Sequence, residues 1–159
     1  MTKLSKKIKQ FALILFPAIA LTAGCTTEYD DDALRSGAIE IELTDLVDDE
    51  IYPSAGDEID WKMFFVPTPG DVTIHTFWDH PTEVFDVKVG LYDRFGIPID
   101  VVTRETGSKY CDLKHFTPES GLHFLKISAA SGRSIYSVEV TFETNYDGFV
   151  APTKAPKYD

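Results

Sequence analysis

Between residues 38 and 145 hydrophobic and polar side chains alternate in short runs. In "AIEIEL" Ile39, Ile41 and Leu43 are separated by Glu40 and Glu42, the two-residue period of a strand with one wet face. "YSVEVTF" repeats it, with Tyr136, Val138, Val140 and Phe142 set against Ser137, Glu139 and Thr141. "DVTIHTF", "FDVKVGLY", "IPIDVV", "YCDLKHF" and "LHFLKI" are further runs rich in β-branched and aromatic residues. Turn-forming clusters divide them: "PSAGDE", "PTPGD", "DRFG", "PESG" and "ASGR". Strands recurring about every 8–12 residues, with turn chemistry between them and no long helical stripe, predict an all-β fold. The expected architecture is a single jelly-roll-like β-sandwich of about eight strands.

One strand, "DWKMFFV", is ambiguous in phase. Trp61, Met63 and Phe65 form a wholly apolar set, while Lys62, Phe64 and Val66 are mostly apolar. Alternation favours the first set facing the core; a strand covered on both sides is the other reading.

Outside the alternating region the pattern is lost. After Cys25, "TTEYDDDALRSG" is polar and acidic with nothing to bury, so residues 25–37 are expected to be a disordered tether. Its Asp30 to Asp32 read as a solvated spacer before they read as a metal site. Residues 146–159, with prolines, lysines and no period, are expected to be a loose tail. The roughly 108 residues of 38–145 are enough for one domain and too few for two.

The first residues are different again. "MTKLSKKIKQ" carries Lys3, Lys6, Lys7 and Lys9 and no acid, and "FALILFPAIALTA" follows as a nearly unbroken apolar run. Its length of about 13 residues suits a secretory h-region and falls short of the roughly 20 that a membrane span needs. Pro17 also argues against a permanent span. The run closes through Thr22, Ala23 and Gly24 on Cys25. This arrangement resembles the bacterial lipoprotein signal, with Thr22 standing where that family usually has leucine. The resemblance implies that residues 1–24 are removed, that the Cys25 thiol carries a diacylglyceryl group, and that the new amino end is acylated, with palmitate-type chains. Thr26, in place of an aspartate, implies the outer membrane. Two or more fatty chains hold a protein stably, at about 0.8 kcal/mol per buried methylene. The alternative is an ordinary secreted protein with an unrelated cysteine beside its cleavage site.

Charge narrows the partners. The chain carries −11, and losing the four leader lysines makes it −15. That argues against nucleic acid or anionic headgroups and suits calcium, basic peptides or neutral glycans. Cys111 is the second cysteine; with Cys25 lipidated it has no intramolecular partner, and it is expected to act as a small buried hydrophobe.

Taken in order, the strands resemble the bacterial pre-peptidase C-terminal (PPC) domain. An acidic turn runs into an aromatic strand in "GDEIDWKMFFVPTPGDVTI". An aspartate-led strand ends in a hairpin in "FDVKVGLYDRFG", and "ESGLHFLKI" and "SIYSVEVTF" close the domain. The resemblance spans roughly residues 38–143 and implies a compact jelly-roll-like sandwich with an accessory rather than catalytic role. Two positions depart from the family pattern: Lys62 stands in place of an aromatic residue and His123 in place of tyrosine. The resemblance expects both to face the core.

Candidate chemistry is sparse. There is no "GxSxG", no "HExxH" and no glycine loop for phosphate. His75 and His80 flank "TFWD", but a strand end running into Pro81 does not aim both rings at one point. His115 and His123 are expected to pack in their own strands. Asp57, Glu58 and Asp60, on one turn, are the candidate calcium ligands, since hard cations take six to eight oxygens from loops. The alternative is that Asp57 and Asp60 cap the turn through backbone hydrogen bonds. No other cofactor is expected. For ligand contact the loop "TFWDHPTEVF" offers Trp78, Asp79 and His80, with Trp78 either an exposed anchor or folded back to close the sandwich. The expected function is a non-enzymatic outer-membrane lipoprotein that binds or assembles envelope protein or glycan. An accessory subunit of a secretion or pilus machine is the alternative, and a hydrolase ranks third.

Overall fold

A computed structural model describes residues 32–79, 81–82 and 84–144. The expectations for the leader, for Cys25, for His80 and for the tail 146–159 lie outside the described residues.

Nine strands form two packed sheets. One sheet holds β1 (Ile39–Glu40), β3 (Ile59–Val66), β8 (Gly121–Ser131), β5 (Asp86–Tyr92) and β6 (Pro98–Thr103), in that spatial order. The other holds β2 (Leu46–Ile51), β9 (Ser134–Glu143), β4 (Gly70–Asp79) and β7 (Tyr110–Thr117). Among the described residues the β1–β3 pairing alone is parallel, with Ile39 opposite Lys62. The fold is the expected β-sandwich: Tyr136, Val138 and Val140 of β9, the row the alternation marked, meet Val87, Val89 and Leu91 of β5 in one buried core. "AIEIEL" pairs only over Ile39–Glu40, and of its apolar set Ile41 is buried while Ile39 is exposed. The sequence reading counted about eight strands because "LVDDEI" looks like an acidic loop. It is in fact β2, registered on β9 from Leu46 opposite Glu139 to Ile51 opposite Ser134.

The phase of β3 is the reverse of the one favoured by alternation. Lys62, Phe64 and Val66 are buried, while Trp61, Met63 and Phe65 lie on the outer face. Neighbours on the same sheet shelter Trp61, while Phe65 stays exposed. The Trp61 ring meets Tyr92 edge-on at 5.0 Å and Phe124 at 6.3 Å, with the Lys126 ammonium 5.3 Å above it. Lys62 is tolerated inside because its ammonium donates to the carboxylates of Asp32 and Asp49. His123 also faces inward and stacks on Phe64. The phase is therefore the one that the PPC resemblance implied.

The counter-ion Asp32 corrects the tether expectation too. Residues 32–37 are packed on the sandwich: the Asp32 carbonyl accepts the Trp61 N–H at 2.9 Å, and the Arg35 guanidinium lies 5.3 Å over the Phe124 ring. Arg35 also donates to the Arg94 carbonyl at 3.2 Å, at the β5–β6 hairpin. Gly96 in that hairpin has φ +83°, and a Cβ there would stand 2.5 Å from Arg35 Nη1, so turn geometry and the clasp both call for glycine.

Candidate functional site

Two groupings of side chains stand out, one polar and buried, the other apolar and exposed. The first is buried between the sheets near β3. Strand alternation sends Asp60 inward, where it accepts the Tyr136 hydroxyl at 2.6 Å. Burial raises its pKa to about 8, an effect that the Tyr136 hydrogen bond lowers only in part and that the charges of Asp57 and Asp32 reinforce. Asp60 is thus largely neutral at pH 7. Asp57 precedes the strand and takes the Tyr52 N–H at 3.1 Å, which is the turn-capping role. Burial raises its pKa as well, against a hydrogen bond with Asp60 that lowers it. Tyr136 is driven well above the usual phenol range by burial and by the nearby carboxylates. Burial alone would depress Lys62, but its hydrogen bonds to Asp32 and Asp49 outweigh that and hold it above the ordinary lysine value.

Asp57 and Asp60 border one cavity, with Asp49, Tyr52 and Arg133, whereas Glu58 borders another, with Asp86, Lys88 and Ser128. The three candidate calcium ligands do not converge. Among the described residues no three His, Cys, Asp or Glu side chains surround a metal position. The chemistry of this grouping is that of a buried hydrogen-bonded network in which one carboxyl is kept protonated and one ammonium kept charged.

The second grouping is the outer face of the four-stranded sheet. The run "TFWD" alternates about the sheet plane, so Thr76 and Trp78 point inward and Phe77 and Asp79 outward. Trp78 is 2 % exposed, its ring against Phe85 at 5.1 Å and Tyr136 at 5.8 Å. It closes the sandwich and is not an exposed anchor. The outward aromatic is Phe77, 47 % exposed, directly opposite Tyr110 of β7, 62 % exposed. Asp79 pairs with Ile135 of β9, 50 % exposed, which places Ile135 diagonally from Phe77 on the same face. Directly opposite residues such as Phe77 and Tyr110 are roughly 4.5–5.5 Å apart at Cβ, and diagonal ones such as Phe77 and Ile135 roughly 7–8 Å, within reach of an aromatic side chain.

Carboxylates flank the cluster. Asp48 is level with Ser137 and Phe77 and accepts the Ser137 hydroxyl at 2.6 Å. One row further along, Glu139, His75 and Asp112 lie side by side, with His75 Nδ1 3.0 Å from Asp112. Glu50 is level with Ile135 and is held by Arg133. Of the candidate contact residues Trp78, Asp79 and His80, Trp78 is buried, Asp79 lies on the outer face and His80 is outside the described residues; Phe77, Tyr110 and Ile135 share no local sequence signal because each belongs to a different strand. Counting alternation from the buried Tyr136 and Cys111 would have exposed Ile135 and Tyr110.

The remaining candidates are structural. Cys111 is buried in the core, and burial raises its thiol pKa, the opposite of an activated nucleophile. His115 faces Asp100 at 3.5 Å, on a strand of the other sheet, and His123 stacks on Phe64 at 6.0 Å. The two rings do not form a site.

No protein-family model matches the chain, and no curated protein matches it. Among solved structures, it is similar to the pre-peptidase C-terminal domain of collagenase from Bacillus anthracis, with TM-score 0.52 and 15% identity over 65% of this chain and 94% of that one. The chain has the fold of that domain. Similarity at TM-score 0.48 and 10% identity extends to CorA, a surface-associated copper-binding protein of Methylomicrobium album BG8, over 67% of this chain and 99% of that one. At TM-score 0.42 and 10% identity it extends to PliG, a periplasmic inhibitor of g-type lysozyme from Aeromonas hydrophila, over 67% of this chain and 97% of that one.

Proposed function

We propose that the protein is a non-enzymatic lipoprotein of the outer membrane, anchored through Cys25, that binds a protein or glycan of the cell envelope. The observation that carries the reading is the outer face of the four-stranded sheet, where Phe77 and Tyr110 stand exposed opposite one another and Ile135 is exposed diagonally from Phe77. Apolar side chains exposed in a contiguous cluster on a regular sheet are a usual mark of an interaction surface, and aromatics supply most of the energy at such surfaces. The anchor reading rests on the basic start, the short apolar run and the small residues ending on Cys25.

Attachment is tested by mass spectrometry of the mature amino terminus and by fractionating cells that express Cys25→Ser. The wild-type protein is expected in the outer-membrane fraction with an acylated Cys25, and the variant in the soluble fraction. A variant that stays in the membrane fraction defeats the anchor. Binding is tested by placing a photo-crosslinking residue at Tyr110 in the anchored protein. A discrete envelope adduct supports the reading, and a probe that labels only lipid or nothing goes against it.

A further inference from the structure

The apolar cluster on the four-stranded sheet is set among acids, and this constrains its partner. The row Asp48, Ser137, Phe77, Tyr110 crosses all four strands, a width of about 14 Å at roughly 4.8 Å per strand. The adjacent row runs Leu46, Glu139, His75, Asp112, with His75 Nδ1 3.0 Å from Asp112, and Asp79 and Glu50 flank Ile135 on the other side, where Arg133 pairs with Glu50. The lysine that the strands contribute to this face, Lys114, lies further along, 3.9 Å from Asp71. The outer face of the other sheet also exposes an apolar pair, Phe65 opposite Leu122, but differs in charge: Lys126 and Lys88 rise from it, and Arg35 covers Phe124.

We infer that the face built on Phe77, Tyr110 and Ile135 docks a cationic polypeptide segment that carries lysine or arginine beside apolar residues. The inference deepens the binding-module reading and rests on it. Aromatic rings attract a cation over their faces, and carboxylates beside them complete its charge. Complementary charge also steers encounter and excludes wrong partners. A neutral sugar could hydrogen-bond Asp48, Glu139 and Asp112 through its hydroxyls but would bring no positive charge to pair with them, so a cationic segment uses the acidity of the face more fully. A small free cation is a poor fit because the face is an open sheet, whereas small ligands are held in concave pockets. An extended chain can span four strands and touch aromatics and acids together.

The test is titration calorimetry on the full-length protein in detergent. The probes are a hexapeptide alternating arginine and leucine, the same peptide with citrulline for arginine, and a hexasaccharide of N-acetylglucosamine. The site variants are Phe77→Ala with Tyr110→Ala, and Asp112→Asn with Glu139→Gln; Tyr110→Ala alone serves if the double variant does not fold. The control, Glu40→Gln with Glu42→Gln, removes as many acids elsewhere. The expected result is arginine-peptide binding that weakens at least tenfold in each site variant and with citrulline, and is unchanged in the control. Equal binding of the two peptides, equal weakening in the control, or no peptide binding overturns the inference. Hexasaccharide binding through Phe77 and Tyr110, with the peptide no tighter, also overturns it and leaves the binding-module reading in place. Cys25→Ser fractionation judges the anchor independently.

Discussion

Lys62 and Asp60 are neighbours on one face of β3 in opposite states: an ammonium kept charged and a carboxyl kept neutral. The difference lies in their partners. Lys62 has two carboxylates to donate to, while Asp60 has a hydroxyl and the repulsion of Asp57 and Asp32. With a folded pKa of about 8 and an unfolded value near 3.9, Asp60 binds its proton more tightly in the folded protein. Its contribution to stability is complete below about pH 4 and is lost as pH rises through about 8. The melting temperature is therefore expected to fall between pH 5 and pH 8, and Asp60→Asn, which keeps an acceptor for Tyr136, should flatten most of that slope. Asp57, shifted in the same direction, leaves a smaller slope of the same sign. An unaltered pH profile in Asp60→Asn would show that the slope arises elsewhere. Lys62→Met should cost roughly 3–5 kcal/mol by denaturant unfolding, because Asp32 is left buried without its counter-ion. Adding Asp32→Asn and Asp49→Asn should recover much of the loss, and a strictly additive further loss would rule out the ion network as the cause.

A strand was readable in the sequence where its inward row is uniformly apolar and its outward row polar. β9 alternates in this way, and Tyr136, Val138 and Val140 face inward as the pattern chose. β3 was not readable by pattern alone, because its outer residues Trp61, Met63 and Phe65 are all apolar, with Trp61 covered by Tyr92, Phe124 and Lys126 from neighbouring strands. Hydropathy cannot separate an apolar residue in the core from one sheltered on the sheet surface; only register does so. β2 was missed for the opposite reason, since Asp49 faces inward to serve Lys62 and breaks the expected apolar period. The candidate site was half legible for the same cause: Asp79 and its segment were found, but an exposed cluster made from three strands has no local signature. The phase of β3 can be checked by a matched pair of truncations. Phe64→Ala, at a position 1 % exposed, should cost about 3–5 kcal/mol, and Phe65→Ala, at 61 %, no more than about 0.5 kcal/mol. The reverse order would restore the alternation reading.

The whole molecule presents two unlike faces, and the point where the chain enters relates them. Asp32 is held at β3 by its carbonyl and its carboxylate, and Arg35 lies over Phe124 on the outer face of the five-stranded sheet. The acid-flanked face with Phe77 and Tyr110 belongs to the other sheet, about 10 Å away through the core. The segment nearest the proposed anchor thus clasps one side of the sandwich, and the exposed aromatic cluster lies on the other. This clasp is part of the fold and not a leash, because among the described residues Asp32 is the buried carboxylate that pairs with Lys62, its second partner Asp49 being more exposed. A soluble domain beginning at Ala38 should consequently melt at least roughly 10 °C below one beginning at Asp32, from loss of the Lys62 pairing and the cover on Phe124. Differential scanning calorimetry of the two domains decides it: equal midpoints would return residues 32–37 to the tether and remove the clasp that sets the two faces apart.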